Sequence, residues 1–415
     1  MAPGQGFFVE LTSSSQLSTG NREREEFREL CRPLMQSIRN RFPIGPGVVV
    51  RVQRHGSSNW ATTLKIDTTE PDGSRKSYFC KTLSGDSSAA FTAGECKSAI
   101  EISRAAPGHV PQPHFWGQFL HRRDLYSYYL QDYHEMTLGG VPDPVEFVDI
   151  ITRIHRETSA NGAFGYSQPT AIGKMERTNS WQTSWANAFA CHMKDAFDYD
   201  RDTNGPWREL RLVYEELVAH VVPRLLDVLQ MGGRSITPAL IHGDLCEGNV
   251  GVDKETGKIV MFDPGCFYGH NEMEFGAWRC TRATHFNLKD GSYLSLYQKE
   301  MPPSEPAEEW DDRNRLYSIY AYLVASASHF GSSFRLIAQN EMIFLCKKYG
   351  SEKYDTTRGR YDADLVKNLL EDKSSGVGPS ILLCRVFLSL RFLKKPRKGW
   401  GLKHGKKARI GVAGE

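Results

Sequence analysis

The chain has 415 residues with 40% hydrophobic and 24% charged content, and 52 Lys and Arg against 49 Asp and Glu give a net charge of +3. That length holds two lobes with separate cores, and the composition excludes a wholly disordered or collagen-like chain. Eight of the bases and no acid lie between Lys394 and Arg409, so 44 bases face 49 acids elsewhere and the main body is not a basic nucleic-acid binder.

Residues 1–22, rich in Ser, Gly and Thr, read as a flexible N-terminus. From Glu23 to Phe42, Phe27, Leu30, Leu34 and Ile38 recur at helical spacing, with Pro33 placed to kink or split the helix. Val48–Arg54 and Trp60–Asp67 read as strands around a Gly56-Ser57-Ser58 turn, and Pro71-Asp72-Gly73 leads into a third strand, Lys76–Lys81. Ser87–Ala105 reads as a helix ended by Pro107-Gly108, followed by strands His114–Phe119 and Leu125–Gln131. After Asp132 the chain is mainly helical, with helices over Val145–Glu157, Trp181–Tyr199 and Trp207–Leu229. An apolar Ala239-Leu240-Ile241 leads into His242-Gly243-Asp244. Two short strands, Val250–Val252 and Lys258–Phe262, then deliver Asp263. Further helices are expected near Tyr293–Lys299, Asp312–Phe330, Phe334–Tyr349 and Leu365–Glu371. The order predicts an α+β, bilobal chain: an N-lobe over 23–133 with a small antiparallel sheet and one helix, a larger mainly helical C-lobe over 134–372, and a basic tail over 373–415.

Nine cysteines without a C-x-x-C spacing fit reduced core thiols rather than a disulfide scaffold or zinc site. No signal peptide is read in Met1–Ser15. The longest apolar stretch, Ile381–Leu393, is broken by Arg385 and Arg391 and is too short to span a bilayer. A cytoplasmic protein with no membrane partner is expected, and a nucleic-acid partner is not.

The chemistry concentrates in His242-Gly243-Asp244-Leu245-Cys246-Glu247-Gly248-Asn249, followed fourteen residues later by Asp263-Pro264-Gly265. An Asp and an Asn five apart, then an Asp closing the next hairpin, is what a kinase-like phosphotransferase needs. Asp244 then faces the acceptor hydroxyl, while the Asn249 amide oxygen and Asp263 hold Mg²⁺ against the phosphates of ATP. Phosphoryl transfer is helped chiefly by alignment and by neutralising phosphate oxygens, so one carboxylate must stay free to orient the nucleophile. With an ordinary pKa of about 3.9, Asp244 is expected mainly to orient the hydroxyl and to take its proton late. Single Asp and Asn residues in loops usually make turns or caps; the joint pattern on an apolar lead-in strand carries the reading. His242 is expected to brace the loop by hydrogen bonding.

The N-terminal sheet supplies the other half. Lys81 closes the third strand, where a kinase-type lysine reaches the α- and β-phosphates, and Glu95 lies fourteen residues on, inside the following helix. Lys76 and Lys97 compete for the same part. The turn Gly56, Ser57, Ser58 is the candidate phosphate cover, with one glycine in His55–Asn59 and neither a Walker A nor a G-x-G-x-x-G pattern in the chain.

The strings Ile241-His242-Gly243-Asp244-Leu245, Gly248-Asn249-Val250, Phe262-Asp263-Pro264 and Phe267-Tyr268-Gly269-His270-Asn271-Glu272 resemble the fructosamine/ketosamine-3-kinases, of the aminoglycoside-phosphotransferase-like group of protein-kinase-like folds. The fungal protein-ribulosamine 3-kinase-like branch resembles it further in Gly233–Ile236, Ser304-Glu305-Pro306, Trp310–Asn314, Phe164-Gly165-Tyr166 and Gly94-Glu95. The resemblance runs from about residue 48 to 350. It implies Mg²⁺- and ATP-dependent phosphorylation of the sugar 3-hydroxyl of ketosamines, small or on glycated proteins, to an unstable product that regenerates the amine. By the same resemblance Asp244 is catalytic, Asn249 and Asp263 bind metal, Lys81 and Glu95 form the nucleotide-side pair, and Gln131, Asp132 and Tyr133 form the hinge beside adenine. The family usually has tryptophan two residues after the catalytic Asp, beside the sugar; here that position is Cys246. Trp181, Tyr268 and His270 are further candidates for the sugar pocket, although Trp181 and Trp185 at helical spacing also fit a core face. The alternatives are a phosphotransferase for another hydroxylated metabolite or aminoglycoside, and a pseudokinase-like binding protein.

Overall fold

Two apolar faces organise the smaller lobe in a computed structural model that describes residues 21–41, 48–56, 61–70, 72–85, 87–287 and 292–351. Five antiparallel strands, β1 (Val48–Arg54), β2 (Thr62–Thr69), β3 (Arg75–Ser84), β4 (Pro113–His121) and β5 (Asp124–Asp132), form a sheet in the order β1-β2-β3-β5-β4. On β3, Tyr78, Cys80 and Thr82 are buried toward one face, so period two places Lys81 on the other. Helix α1 (Asn21–Arg41) covers the first face, packing Phe27, Cys31, Leu34, Met35 and Ile38 against Leu64, Ile66, Cys80 and Leu130. It is the helix expected over Glu23–Phe42, here packed on the sheet as a second helix beside the one expected there, and it runs through Pro33 without a break. Burial of Cys31, Leu34 and Met35 around the proline outweighs the single hydrogen bond it removes.

Helix α2 (Ser88–Ala105) covers the second face, with Cys96, Ala99 and Ile102 in one core with Tyr129 of β5. A Cβ on Gly94 would come within 2.3 Å of the Pro169 carbonyl oxygen. Only glycine lets α2 approach that segment, and the approach sets the position of the adjacent Glu95.

The larger lobe comprises β6 (Met136–Leu138), α3 (Pro144–His155), β7 (Ala171–Ile172), β8 (Met175–Glu176), α4 (Trp185–Asn204), α5 (Arg208–Glu216), α6 (Val222–Leu226), β9 (Ala239–Ile241), β10 (Val250–Asp253), β11 (Ile259–Met261), β12 (Phe267–Gly269), α7 (Ser292–Glu300), α8 (Trp310–Ser328) and α9 (Phe334–Tyr349). The Asp143 side chain caps α3, accepting the N–H groups of Val145 at 3.0 Å and Glu146 at 2.9 Å, with Pro144 in the first turn. The single helix expected over Trp207–Leu229 is instead α5, a π-helical Leu217–Val221, α6 and a 3₁₀ turn, Asp227–Gln230. Pro223 lacks the N–H that a continuous α-helix requires there, and the register widens ahead of it. Helix α8 is buried around most of its circumference and packs on α4, α9 and the 3₁₀ stretch Asn271–Arg279. Strand β10 pairs with β11 and β6, and β9 with β12, all antiparallel. These short ladders hold the two loops of the site, 242–249 and 262–266, at fixed ends. The expected helix Leu365–Glu371 and the basic tail lie outside the described residues, and no helix among those residues is long and apolar enough to cross a membrane.

Candidate active site

Strand β9, buried at all three positions, ends where the 242–249 loop begins. The Glu274 carboxylate accepts the N–H of His242 at 2.5 Å and of Gly243 at 3.0 Å, so the loop is pinned at its root. Gly243 has φ of +77°, and a Cβ there would come 2.4 Å from the Gly265 carbonyl oxygen. No other residue fits that position. The Asp244 N–H donates to His242 Nδ1 at 3.3 Å, and burial holds that imidazole below its ordinary pKa, so His242 is a neutral brace. Asn249 Nδ2 donates to the Asp244 carbonyl oxygen at 2.9 Å and to its Oδ2 at 3.0 Å. Burial is the largest influence on Asp244 and pushes its carboxyl up to about 6, against the charges of Arg282 and Arg177. It is therefore a better base near neutral pH than an ordinary aspartate.

Beyond β11 the chain turns sharply, and Asp263 takes φ of +55°, a left-handed conformation that few non-glycine residues adopt. Lys81 Nζ donates to both Glu95 oxygens, at 2.8 and 2.9 Å, and to Asp263 Oδ1 at 2.7 Å. One ammonium from the sheet thus joins the helix above it to the loop of the other lobe. Burial works against the lysine charge, but the two carboxylates outweigh it and hold Lys81 ionised. Burial also opposes ionisation of Asp263, and Lys81 overcomes it, keeping that carboxyl below its ordinary value. Lys76 is elsewhere, on Asp132 at 2.9 Å, and Lys97 lies over the Tyr166 ring.

The stretch Gln131, Asp132, Tyr133 leaves the end of β5 toward the larger lobe. Two pairs extend that link: His134 with Asp253 at 2.8 Å and Glu135 with Lys254 at 2.9 Å. Gln131 is buried between strands, and the Asp132 carboxylate is occupied by His114 and Lys76. The N–H groups of Asp132 and Tyr133 donate to Gln112 and Ser77 carbonyls, so any contact these two make with a base would come through carbonyls or the Tyr133 side chain. Gly56 begins the β1–β2 turn with φ of +71°; Ser57 and Ser58 lie outside the described residues.

A cavity of about 220 Å³ opens beside Asp244 and Asn249, lined also by Cys246, Ile172, Arg282 and the α8 face that carries Tyr320 and Val324. Burial pushes the Cys246 thiol up to about 12, so it faces the cavity protonated. Three predicted pocket residues are not brought there. His270 is 0% exposed, held between the Tyr317 hydroxyl at 2.8 Å and Ser304 Oγ at 2.9 Å, so it is a core residue and touches no sugar. Tyr268 turns its hydroxyl to Glu101 of α2 at 3.4 Å and stacks on Trp181, 6.2 Å away, and neither ring lines the cavity. Helix α4 begins only at Trp185, not at Trp181 as expected, so the two do not share a helical face; Trp185 is fully buried.

Two positioning residues escaped the sequence reading. Arg177 is buried and donates to the carbonyl oxygens of Gly243 and Gly265 and to the Tyr320 hydroxyl, clamping both site loops together. Glu274 is the other. Neither lies in a local pattern, because the groups they bind are distant in sequence. The quoted strings around them nevertheless carried a trace: Glu272 makes a buried ion pair with Arg313 at 2.8 Å, and Ser304 N–H donates to Glu272 at 2.8 Å. Stretches that looked like a family signature are one buried network beneath the site.

A family model described as fructosamine kinase matches residues 56–348. The chain belongs to the fructosamine kinase family. It is accordingly a phosphotransferase of bilobal, kinase-like fold, as the sequence strings implied. Among relatives of this family member, the chloroplastic protein-ribulosamine 3-kinase of Arabidopsis thaliana is 26% identical over 272 residues, covering 64% of this chain and 74% of that protein. Ketosamine-3-kinase of Mus musculus is 32% identical over 191 residues, covering 44% of this chain and 54% of that protein. In structure, a candidate fructosamine-3-kinase from Haemophilus somnus matches with a TM-score of 0.60 at 16% identity, over 77% of this chain and 98% of that one.

Proposed function

We propose that this family member transfers the γ-phosphoryl group of ATP to the sugar 3-hydroxyl of ketosamines, ribulosamine or fructosamine, either small or borne on glycated proteins, and so serves deglycation in the cytoplasm. The observation that carries the reading is the double engagement of Lys81 by Glu95 and Asp263, with Asp244 held by the Asn249 amide on the neighbouring loop. Relatives named protein-ribulosamine 3-kinase and ketosamine-3-kinase support the acceptor class.

In this reading Asp244 aligns the acceptor hydroxyl and, with its raised pKa, takes the proton as the oxygen attacks phosphorus. Lys81, fixed by two carboxylates, stands ready for the nucleotide phosphates. The residues fit Mg²⁺: Asn249 commits its NH₂ to Asp244, which leaves its amide oxygen, and Asp263 adds a carboxylate. With only these two protein ligands, phosphate and water oxygens would complete the coordination. Bound there, Mg²⁺ would neutralise charge on the transferring phosphoryl group. Incubation with Mg-ATP and a soluble ribulosamine or fructosamine should yield ADP and the sugar 3-phosphate in equal amounts by NMR. ADP without sugar phosphate would point to another hydroxylated acceptor or aminoglycoside. Bound nucleotide with no product would make the chain a binding protein.

A further inference from the structure

The cavity beside Asp244 includes a cation that the phosphate chemistry does not use. Arg282 lines it and is exposed, with no hydrogen-bond or ion-pair partner among the described residues. Its backbone is nonetheless fixed on both sides. Thr281 N–H donates to the Tyr322 hydroxyl at 3.0 Å. The Glu247 carboxylate accepts the N–H groups of Thr284 at 2.6 Å and Phe286 at 2.9 Å, and that of His285 between them. Glu247 belongs to the same loop as Asp244, so the segment that carries Arg282 is tied to that loop. It is near enough for its charge to act on the carboxyl of Asp244. The cavity lining contains Asp244, Asn249 and Cys246 but not Lys81, Glu95 or Asp263, so Arg282 stands on the acceptor side of the transferring phosphoryl group.

We propose that Arg282 reads an anionic group on the acceptor, a carboxylate or phosphate attached to the ketosamine near the reacting sugar. The inference rests on the ketosamine reading above and narrows it: acceptors of this kind are small adducts of amino acids or of sugar phosphates, favoured over an internal glycated lysine that has no carboxylate or phosphate attached beside the sugar. A planar guanidinium pairs with either oxyanion through two parallel N–H···O bonds, and an unpaired one leaves that capacity for a ligand.

The test compares ribulosyl-glycine with ribulosyl-glycinamide, which differ in one carboxylate, and adds the 5-phosphate of the glycinamide adduct to separate the two anion sources. Affinity is measured by calorimetry and turnover by ADP release. Either anionic adduct should bind at least about tenfold more tightly than the neutral one, as expected of a charge-assisted pair. Arg282→Gln should bring that ratio to near one, and Arg282→Lys should restore part of it. Any general effect of the variants on Asp244 cancels in the ratio. Equal affinity for all three adducts, binding of none, or a preference that survives Arg282→Gln would overturn the proposal. So would a loss of ATP affinity in Arg282→Gln with the acceptor ratio intact, which would assign the guanidinium to the nucleotide. If the anionic adducts bind preferentially through Arg282 but none is phosphorylated, this proposal stands and the ketosamine-kinase reading falls.

Discussion

The two sides of the cleft are built on opposite plans. Around Lys81, where we propose the nucleotide phosphates sit, the charges are paired: Lys81 holds Glu95 at 2.8 Å and Asp263 at 2.7 Å, and three separate elements deliver the three groups. Beside Asp244, where we propose the acceptor sits, a cavity of about 220 Å³ presents a protonated thiol, apolar α8 side chains and a guanidinium without a partner among the described residues. Phosphoryl transfer is the same reaction whatever the acceptor, so its groups gain from being fixed in advance, while acceptor choice is left to a surface that single substitutions can alter. Asp244 links the two sides, since it lines the cavity and feels the charge of Asp263.

The sharpest way to break this division is Asp244→Asn. Transfer should fall by about 10²–10⁴, the usual span for a positioned base, with ATP affinity largely kept. Thermal stability should rise by a few degrees at neutral pH, because a carboxyl lifted to about 6 is a buried charge the fold would rather lose. Wild-type rates in this variant would remove Asp244 from the mechanism. Next comes Lys81→Met, which leaves Glu95 and Asp263 without their shared cation. Loss of one such electrostatic group is expected to lower kcat/KM for ATP by about 10²–10³ while the acceptor KM moves little. A selective rise in acceptor KM instead would contradict the two-sided plan.

Acidity probes the same boundary with a smaller effect. The carboxylate form of Asp244 is the active one, and its pKa is raised, so activity should be full above it and decline as pH falls through about 6, roughly tenfold per unit below. A limb near 4 would mean that burial does not govern this group, and Asp244 would then only orient the hydroxyl.

The parts of the molecule that could be read from the sequence share one property: the information is local. Val48–Arg54 shows as a strand because apolar and polar residues sort along it, and its bounds match those of β1. The spacing of Asp244, Asn249 and Asp263 is legible because a loop and one hairpin separate them. Arg177, by contrast, acts on Gly243 and Gly265, far along the chain, and nothing in its neighbours marks a buried guanidinium. His270 misled for the complementary reason. Its string is specific, but specificity came from a buried network with Tyr317 and Ser304, not from contact with a ligand. The β9–β12 ladder, three residues long on each side, is too short to leave a period.

The smallest expected effect lies at Cys246, where the comparison can be sharpened rather than broken. The thiol lines the cavity, and burial keeps it protonated, so no thiolate chemistry competes with Asp244. Cys246→Trp places a flat ring against the acceptor space. An aromatic face is worth about 0.5–1.5 kcal/mol beyond its buried area, so the KM for a plain sugar acceptor should fall severalfold. The same ring narrows the cavity and should raise the KM for bulkier adducts. Neither change should reach the ATP KM, because Cys246 does not touch the Lys81 cluster. Steady-state kinetics with one small and one large acceptor would show the two acceptor constants moving in opposite directions. A parallel shift in both, or in the nucleotide constant, would mean that the two sides of the cleft are coupled through this loop and not independent.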